Sequence, residues 1–178
     1  MSQELVTYIV LGSKSRLKGI KLPTNNKFEE YISSNFDSKH QILEKLDQLI
    51  TISQGELIVL LPPSSYPNNQ AKEALKKIAL IGLSSWGWFK YNSKRKNLVQ
   101  NIKKVNTLIR SIPDLEQGIY FSKRLYFSVG GFGSIEPNIF SEISKRLYSR
   151  IDPQKPLSFQ KEKHYTFKVR MVQEKQHF

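Results

Sequence analysis

Continuous apolar and β-branched runs predict the strands of this chain. Such runs lie at 4–11, 56–61 and 86–91, and the first should occupy the centre of a sheet because both of its faces are apolar. Residues 119–129 predict a further strand or a hairpin. Apolar and polar residues alternate at 164–172, which predicts a half-exposed strand with a basic outer face.

Apolar positions three and four residues apart predict the helices. The segments 38–50, 70–83, 94–112 and 137–150 show this spacing, and we expect another helix at 26–35. Between residues 70 and 83 the pattern places Ala74, Leu75, Ile78 and Ile81 inward. Between residues 94 and 112 the inward residues are predicted to be Leu98, Ile102, Val105, Ile109 and Ile112, and Pro113 ends the helix.

Strands and helices are mixed without strict alternation, which predicts the α+β class. We expect a mixed or antiparallel sheet with helices packed on one face, of which the ferredoxin-like fold is one example. The length of 178 residues predicts one domain, 1–178. The longest apolar runs are far shorter than the ~18 residues that cross a membrane, and the first eleven residues lack a secretory leader, so we expect a cytoplasmic protein.

Charge is the most informative feature of the composition. The net charge is +13, yet residues 1–60 hold seven bases and seven acids, so the excess lies entirely in residues 61–178. Residues 72–110 alone hold ten bases and one acid. A field this concentrated favours a polyanionic partner, and nucleic acid is the first expectation, RNA ahead of DNA. An anionic membrane surface or an acidic protein would match the same charge pattern.

The candidate phosphate-binding residues are bases in predicted loops and on predicted outer faces. They are Lys14, Arg16, Lys18, Lys72, Lys76, Lys94, Arg95, Lys96, Lys103, Lys104, Arg110, Lys123, Arg124, Lys145, Arg146, Lys168 and Arg170. Adjacent turns of a helix place such charges about 5 Å apart, a spacing that suits a phosphate backbone. The sequence therefore predicts a non-enzymatic RNA-binding subunit of a ribonucleoprotein assembly.

Two further patterns have both a binding and a structural interpretation. Aromatic residues between the bases, at 86–91 and 120–127, could stack on unpaired bases or fill the core. The glycine-rich segment 130–133 precedes a predicted helix and could hold a phosphate with its amides, or form a flexible turn.

Catalysis has one weak candidate, His164. With Tyr165, Lys163 and Lys168 beside it, this histidine could act as acid or base in a metal-independent ribonuclease, whereas the simpler interpretation is an ordinary surface residue. The chain has no cysteine, and its three histidines show no metal-binding spacing, so neither a metal nor a cofactor is expected. The alternatives to nucleic-acid binding are therefore such a nuclease, or an interaction protein that docks on an acidic partner.

Overall fold

The computed structural model describes residues 4–35, 39–63, 66–90, 105, 107, 109–135, 138–154 and 156, without the side chains of residues 39–41. Its strands are β1 (Val6–Gly12), β2 (Glu29–Asn35), β3 (Leu57–Leu61), β4 (Trp86–Trp88) and β5 (Ile119–Ser122). The helices of the described part are α1 (Lys14–Leu17), α2 (Lys39–Ile52), α3 (Asn69–Ile81), α4 (Lys123–Ser128) and α5 (Ser141–Tyr148). Val105, Thr107, Ile109 and Arg110 are also helical.

The strands form one mixed sheet in the order β2-β1-β3-β5-β4. β1 lies between β2 and β3 and runs parallel to both, and β5 is antiparallel to β3 and β4. The mixed sheet with its helices confirms the predicted α+β class, and β1 is an inner strand as its apolar faces predict. The ends of the parallel strands, at Gly12, Asn35 and Leu61, therefore lie at one edge, which we call the carboxyl edge.

Helices cover both faces of the sheet, not one face as expected. On one side, Ile42, Leu46 and Ile50 of α2 pack with residues of α4 and α5 against Ile9 and Ile58. On the other side, α3 contributes Ala71, Leu75 and Ala79 to a second cluster around Tyr8 and Val59. The described elements do not follow the β-α-β-β-α-β order of a ferredoxin-like fold.

Residues 29–35 form strand β2, so the helix predicted at 26–35 is wrong. The side chain of Asn26 accepts hydrogen bonds from the amides of Phe28 (2.9 Å) and Glu29 (3.0 Å), which fixes a turn immediately before β2. The strand then buries Glu29 and Tyr31 on one face while it pairs with β1. Pairing with an apolar inner strand outweighs the local helix propensity of this polar segment.

Residues 123–128 form helix α4, so the strand predicted across 119–129 ends early. β5 stops at Ser122 because its neighbours begin there: Ser122 pairs with Leu57, the first residue of β3. The Lys123 amide donates to the Glu56 carbonyl oxygen (2.8 Å), and the chain turns into α4, which buries Leu125 and Tyr126.

Three residues predicted to face inward are exposed. Ile81 is 65% exposed next to Gly82, which ends α3 in a left-handed conformation. Val105 and Ile109 are 52% and 75% exposed, and Thr107 between them is buried. The predicted helix ends before Ser111, which has a left-handed φ of 53°. Residues 94–104, 106 and 108 of that helix, and the strand predicted at 164–172, lie outside the described residues.

Candidate nucleic-acid interface

A shallow cleft of about 560 Å³ opens at the carboxyl edge of the sheet, and we call it the lysine cleft. It is lined by Lys14, Leu17, Lys18, Ser33, Asn35 and Lys45. The first three follow β1, Ser33 and Asn35 end β2, and Lys45 lies on α2. Because β1 and β2 are parallel neighbours, the residues that end one strand meet those that follow the other.

The position of the cleft depends on how the chain leaves β1. Gly12 lies so close to the loop after β3 that a Cβ atom there would be 2.5 Å from Pro63 Cγ. The space between the ends of β1 and β3 is therefore filled by Pro63. Ser13 then starts α1 with its hydroxyl, which accepts from the Arg16 amide at 3.4 Å. The open space at this edge consequently lies between β1, β2 and α2.

The lining of the lysine cleft is cationic. Lys14, Lys18 and Lys45 are exposed, and the described residues of the lining include no acid. Lys45 Nζ donates to Asn35 Oδ1 at 3.4 Å, and the Ser33 side chain is exposed at the same place. Three ammonium groups beside a hydroxyl and an amide provide donors suited to phosphate oxygens.

Part of this cleft is predictable from the sequence. Lys14 and Lys18 are predicted phosphate-binding residues that the structure brings together, and Arg16 is exposed on the same short helix. Lys45 was missed, since it lies in the charge-neutral part of the chain on the outer face of an amphipathic helix. Only the neighbouring positions of β1 and β2, which the hydrophobic pattern does not determine, place Lys45 beside the other two lysines.

Lys72 and Lys76 bind a buried carboxylate on the opposite side of the molecule from α2. Lys72 Nζ is 2.8 Å from Glu29 Oε2 and donates to Tyr31 Oη at 2.7 Å, and Lys76 Nζ is 3.7 Å from Glu29 Oε1. Tyr31 Oη also donates to Glu29 Oε2 (2.8 Å). Burial raises the pKa of Tyr31, so its hydroxyl stays protonated as a donor. Glu29 thus partly neutralises two of the predicted phosphate-binding lysines.

Lys123 and Arg146 also make internal contacts. Lys123 Nζ donates to the carbonyl oxygens of Thr51 and Ser53 at 3.0 and 2.8 Å, which closes the end of α2. The Arg146 guanidinium donates to Glu142 Oε1 at 3.1 Å and to the Gly130 carbonyl oxygen at 3.2 Å. Both side chains therefore have structural partners.

The glycine-rich segment 130–133 packs against Arg146. A Cβ atom at Gly133 would lie 2.4 Å from the guanidinium, so this glycine allows the close approach. The segment precedes a helix as predicted, but α5 begins at Ser141 and not at 137, so the glycines are not adjacent to its N-terminus. The segment forms a turn whose Gly130 carbonyl oxygen accepts from Arg146.

The other predicted phosphate-binding residues lie apart from the cleft or outside the described part. Arg110, Arg124 and Lys145 are exposed. The residues outside the described part are Lys94, Arg95, Lys96, Lys103, Lys104, Lys168 and Arg170, together with the catalytic candidate His164 and its neighbours.

The aromatic residues at 86–89 and 120–126 are core residues where they are described. Trp86, Phe89, Tyr120 and Phe121 are fully buried, and Trp88 and Tyr126 are nearly so. Phe127 is 51% exposed. Of the two interpretations of these rings, packing in the core therefore accounts for the buried ones.

The described residues contain no group of three or more histidine, cysteine or acidic residues arranged to hold a metal ion. Within the same ranges, no helix has the length and apolar character to cross a membrane.

In comparisons with known proteins, no protein-family model matches the chain, and no significant match was found among curated proteins or solved structures.

Proposed function

We propose that this protein binds the phosphate backbone of a nucleic acid through the lysine cleft, as a non-catalytic subunit of a ribonucleoprotein assembly. The observation that carries the proposal is the convergence of Lys14, Lys18 and Lys45 on one cleft, whose lining holds no acid among the residues that the structure describes. A cleft lined by charges of one sign concentrates the electric field and attracts a polyanion.

The whole chain supports the same partner class. Its net charge of +13 attracts polyanions and raises their rate of encounter. Phosphate contacts of this kind position a strand without reading its sequence. The neutral groups of the cleft, from Ser33 and Asn35, favour RNA over DNA because a 2′-hydroxyl can both donate to and accept from them.

Binding of labelled single-stranded RNA tests the proposal. We expect Lys14→Gln, Lys18→Gln and Lys45→Gln, combined in one variant, to weaken binding at least about tenfold at 100 mM salt, since three phosphate contacts are lost. The matched control combines Lys77→Gln, Lys90→Gln and Arg150→Gln, which removes the same charge from exposed positions outside the cleft. It should retain most of the affinity.

Two results would contradict this function. Equal affinity of the two variants would show that only net charge attracts RNA. Tighter binding of a polyglutamate peptide than of RNA, also dependent on the cleft lysines, would indicate an acidic protein as the partner. Single-stranded DNA of the same sequence measures the expected preference for RNA.

A further inference from the structure

A second cavity, of about 330 Å³, lies at the start of β5. Its apolar walls are Ile112, Pro113, Leu115 and Ile139, and its polar lining is Thr107, Arg110, Asp114 and Asn138. Arg110 and Asn138 are exposed, so their side chains are accessible to a ligand. The volume lies in the range of small-molecule sites, which are mostly apolar with a few polar groups.

The second cavity and the lysine cleft lie at the same edge of the sheet. Ile119, the first residue of β5, pairs with Leu60 near the end of β3, so the segment leading into β5 is at the carboxyl edge. β3 separates β5 from β1. At about 4.8 Å per strand, the two sites are roughly 10–15 Å apart. This distance corresponds to about three or four nucleotides at a stacked spacing of ~3.4 Å.

The wall of the second cavity is held by a buried glutamine. Gln117 Oε1 accepts from Thr107 Oγ1 at 2.9 Å and from the Asp114 amide at 3.1 Å. Its Nε2 donates to the Phe89 carbonyl oxygen at 3.3 Å. These bonds join the helix at Thr107, the loop at 112–115 and the chain just after β4, so the wall is preformed.

An unusual backbone conformation occurs next to the cavity. Ser111, between Arg110 and Ile112, has a φ of 53°, in the left-handed region that residues other than glycine rarely adopt. Its amide donates to the Thr107 carbonyl oxygen at 2.9 Å, which ends the helix there. The sharp turn allows the residues on both sides of Ser111 to line the same cavity. Such strain is common at ligand sites.

We propose that the second cavity holds one unpaired base of the strand whose phosphates bind in the lysine cleft. This inference rests on the proposed function. The faces of the base contact the aliphatic walls, and its edge meets Arg110 and Asn138. Guanine is the expected base, because an arginine donates to its O6 and N7 together, and the asparagine amide can donate and accept beside it.

RNA hexamers test the inference. Each hexamer contains five uridines and one guanosine, and the guanosine is placed at each position in turn. A matched hexamer carries an abasic residue in place of the guanosine. We expect one position at which the guanosine hexamer binds roughly tenfold more tightly than the matched abasic hexamer, as for a single stacked base. Arg110→Gln and Asn138→Ala should each reduce this ratio toward one, with little effect on the abasic hexamer. Arg150→Gln, at an exposed site outside the cavity, is the matched control.

The outcomes separate this inference from the proposed function. Equal binding of guanosine and abasic hexamers in every register overturns the base site, and so does an Arg110→Gln variant that weakens both hexamers equally. If the triple glutamine variant of the lysine cleft still weakens all hexamers, the proposed function stands without the base site. Failure of that variant to weaken any hexamer contradicts the function itself.

Discussion

At the scale of single residues, Glu29 has the most consequential environment among the described residues. Burial acts to raise the pKa of its carboxyl, but hydrogen bonds from Lys72 and Tyr31 and the charges of Lys72 and Lys76 outweigh burial, so the pKa lies below its usual value. A carboxylate with a lowered pKa stabilises the fold above the pKa of the unfolded chain, about 4.5. That contribution is lost as the pH falls through the folded-state pKa.

Glu29→Gln should therefore destabilise the protein in a pH-dependent way. At pH 7 we expect the free energy of unfolding to fall by about 1–3 kcal/mol, because Lys72 loses a charged partner. The gap between wild type and variant should begin to narrow near pH 4.5, where the carboxyl of the unfolded chain is protonated, and should close as the pH falls through the lower pKa of Glu29 in the folded protein. Urea unfolding from pH 7 to pH 3 measures this gap. Glu73→Gln, at an exposed carboxylate that pairs with Lys76, should show almost no gap. If the difference in unfolding free energy between wild type and Glu29→Gln did not change with pH, the charge of Glu29 would not be the source of the stabilisation.

Gly55 is restricted by the backbone of β1. A Cβ atom there would lie 2.7 Å from the Thr7 amide nitrogen and 2.8 Å from the Leu5 carbonyl oxygen. These backbone atoms cannot move without disturbing an inner strand. Gly55→Ala should lower the free energy of unfolding by roughly 1–3 kcal/mol. Thermal unfolding measures this loss of stability, and Gln54→Ala, which changes an exposed side chain, is the control. Equal melting temperatures would show that this contact relaxes freely.

At the scale of elements, α3 begins at a side-chain cap that can be tested separately from its core face. Asn68 Oδ1 accepts from the Ala71 amide at 2.9 Å. Asn68→Ala should cost about 1 kcal/mol of stability, since the helix loses a partner for one of its first amides. Asn69→Ala, one residue later and exposed, is the control and should be nearly neutral. If both variants unfold at the same urea concentration, the cap contributes nothing.

The elements that the sequence predicted well are those whose burial follows from a local pattern. The runs that became β1 and β3 are apolar throughout, so they fit the interior of a sheet in any topology. β2 differs because its buried positions include Glu29 and Ser34, whose burial depends on Lys72 and on pairing with β1. The change from β5 to α4 depends on where β3 begins. Neither dependence is visible from residues close in sequence.

The lysine cleft was predictable only in part for the same reason. Lys14 and Lys18 belong to one short basic segment, so charge alone identifies them. Lys45 joins them because β2, and not a helix, precedes α2 and pairs with β1. Conversely, Lys72 and Lys76 belong to the most basic part of the chain, yet both contact Glu29. Charge excess along a sequence therefore does not show which lysines line a cleft and which contact a buried carboxylate.

At the scale of the whole molecule, two sets of basic residues are candidates for the main phosphate contact. One is the lysine cleft. The other is the basic segment that the sequence favours, represented by Lys94, Arg95, Lys103 and Lys104. Each phosphate neutralised on single-stranded nucleic acid contributes about −0.7 to the slope of log affinity against log salt. The slope therefore counts contacts and can assign them to either set.

If about six phosphates are neutralised, wild type should show a slope near −4 for single-stranded RNA between 50 and 200 mM salt. The triple glutamine variant of the lysine cleft should flatten this slope by about two units, because three contacts disappear. Replacing Lys94, Arg95, Lys103 and Lys104 with glutamine should flatten it by up to about three units if that segment also binds phosphates.

The cleft variant should melt within a few degrees of wild type, since its three side chains are exposed. A cleft variant with the wild-type slope would show that its lysines do not contact phosphate. If the segment variant then had the flattened slope, the segment would be the contact, as the charge distribution of the sequence predicts.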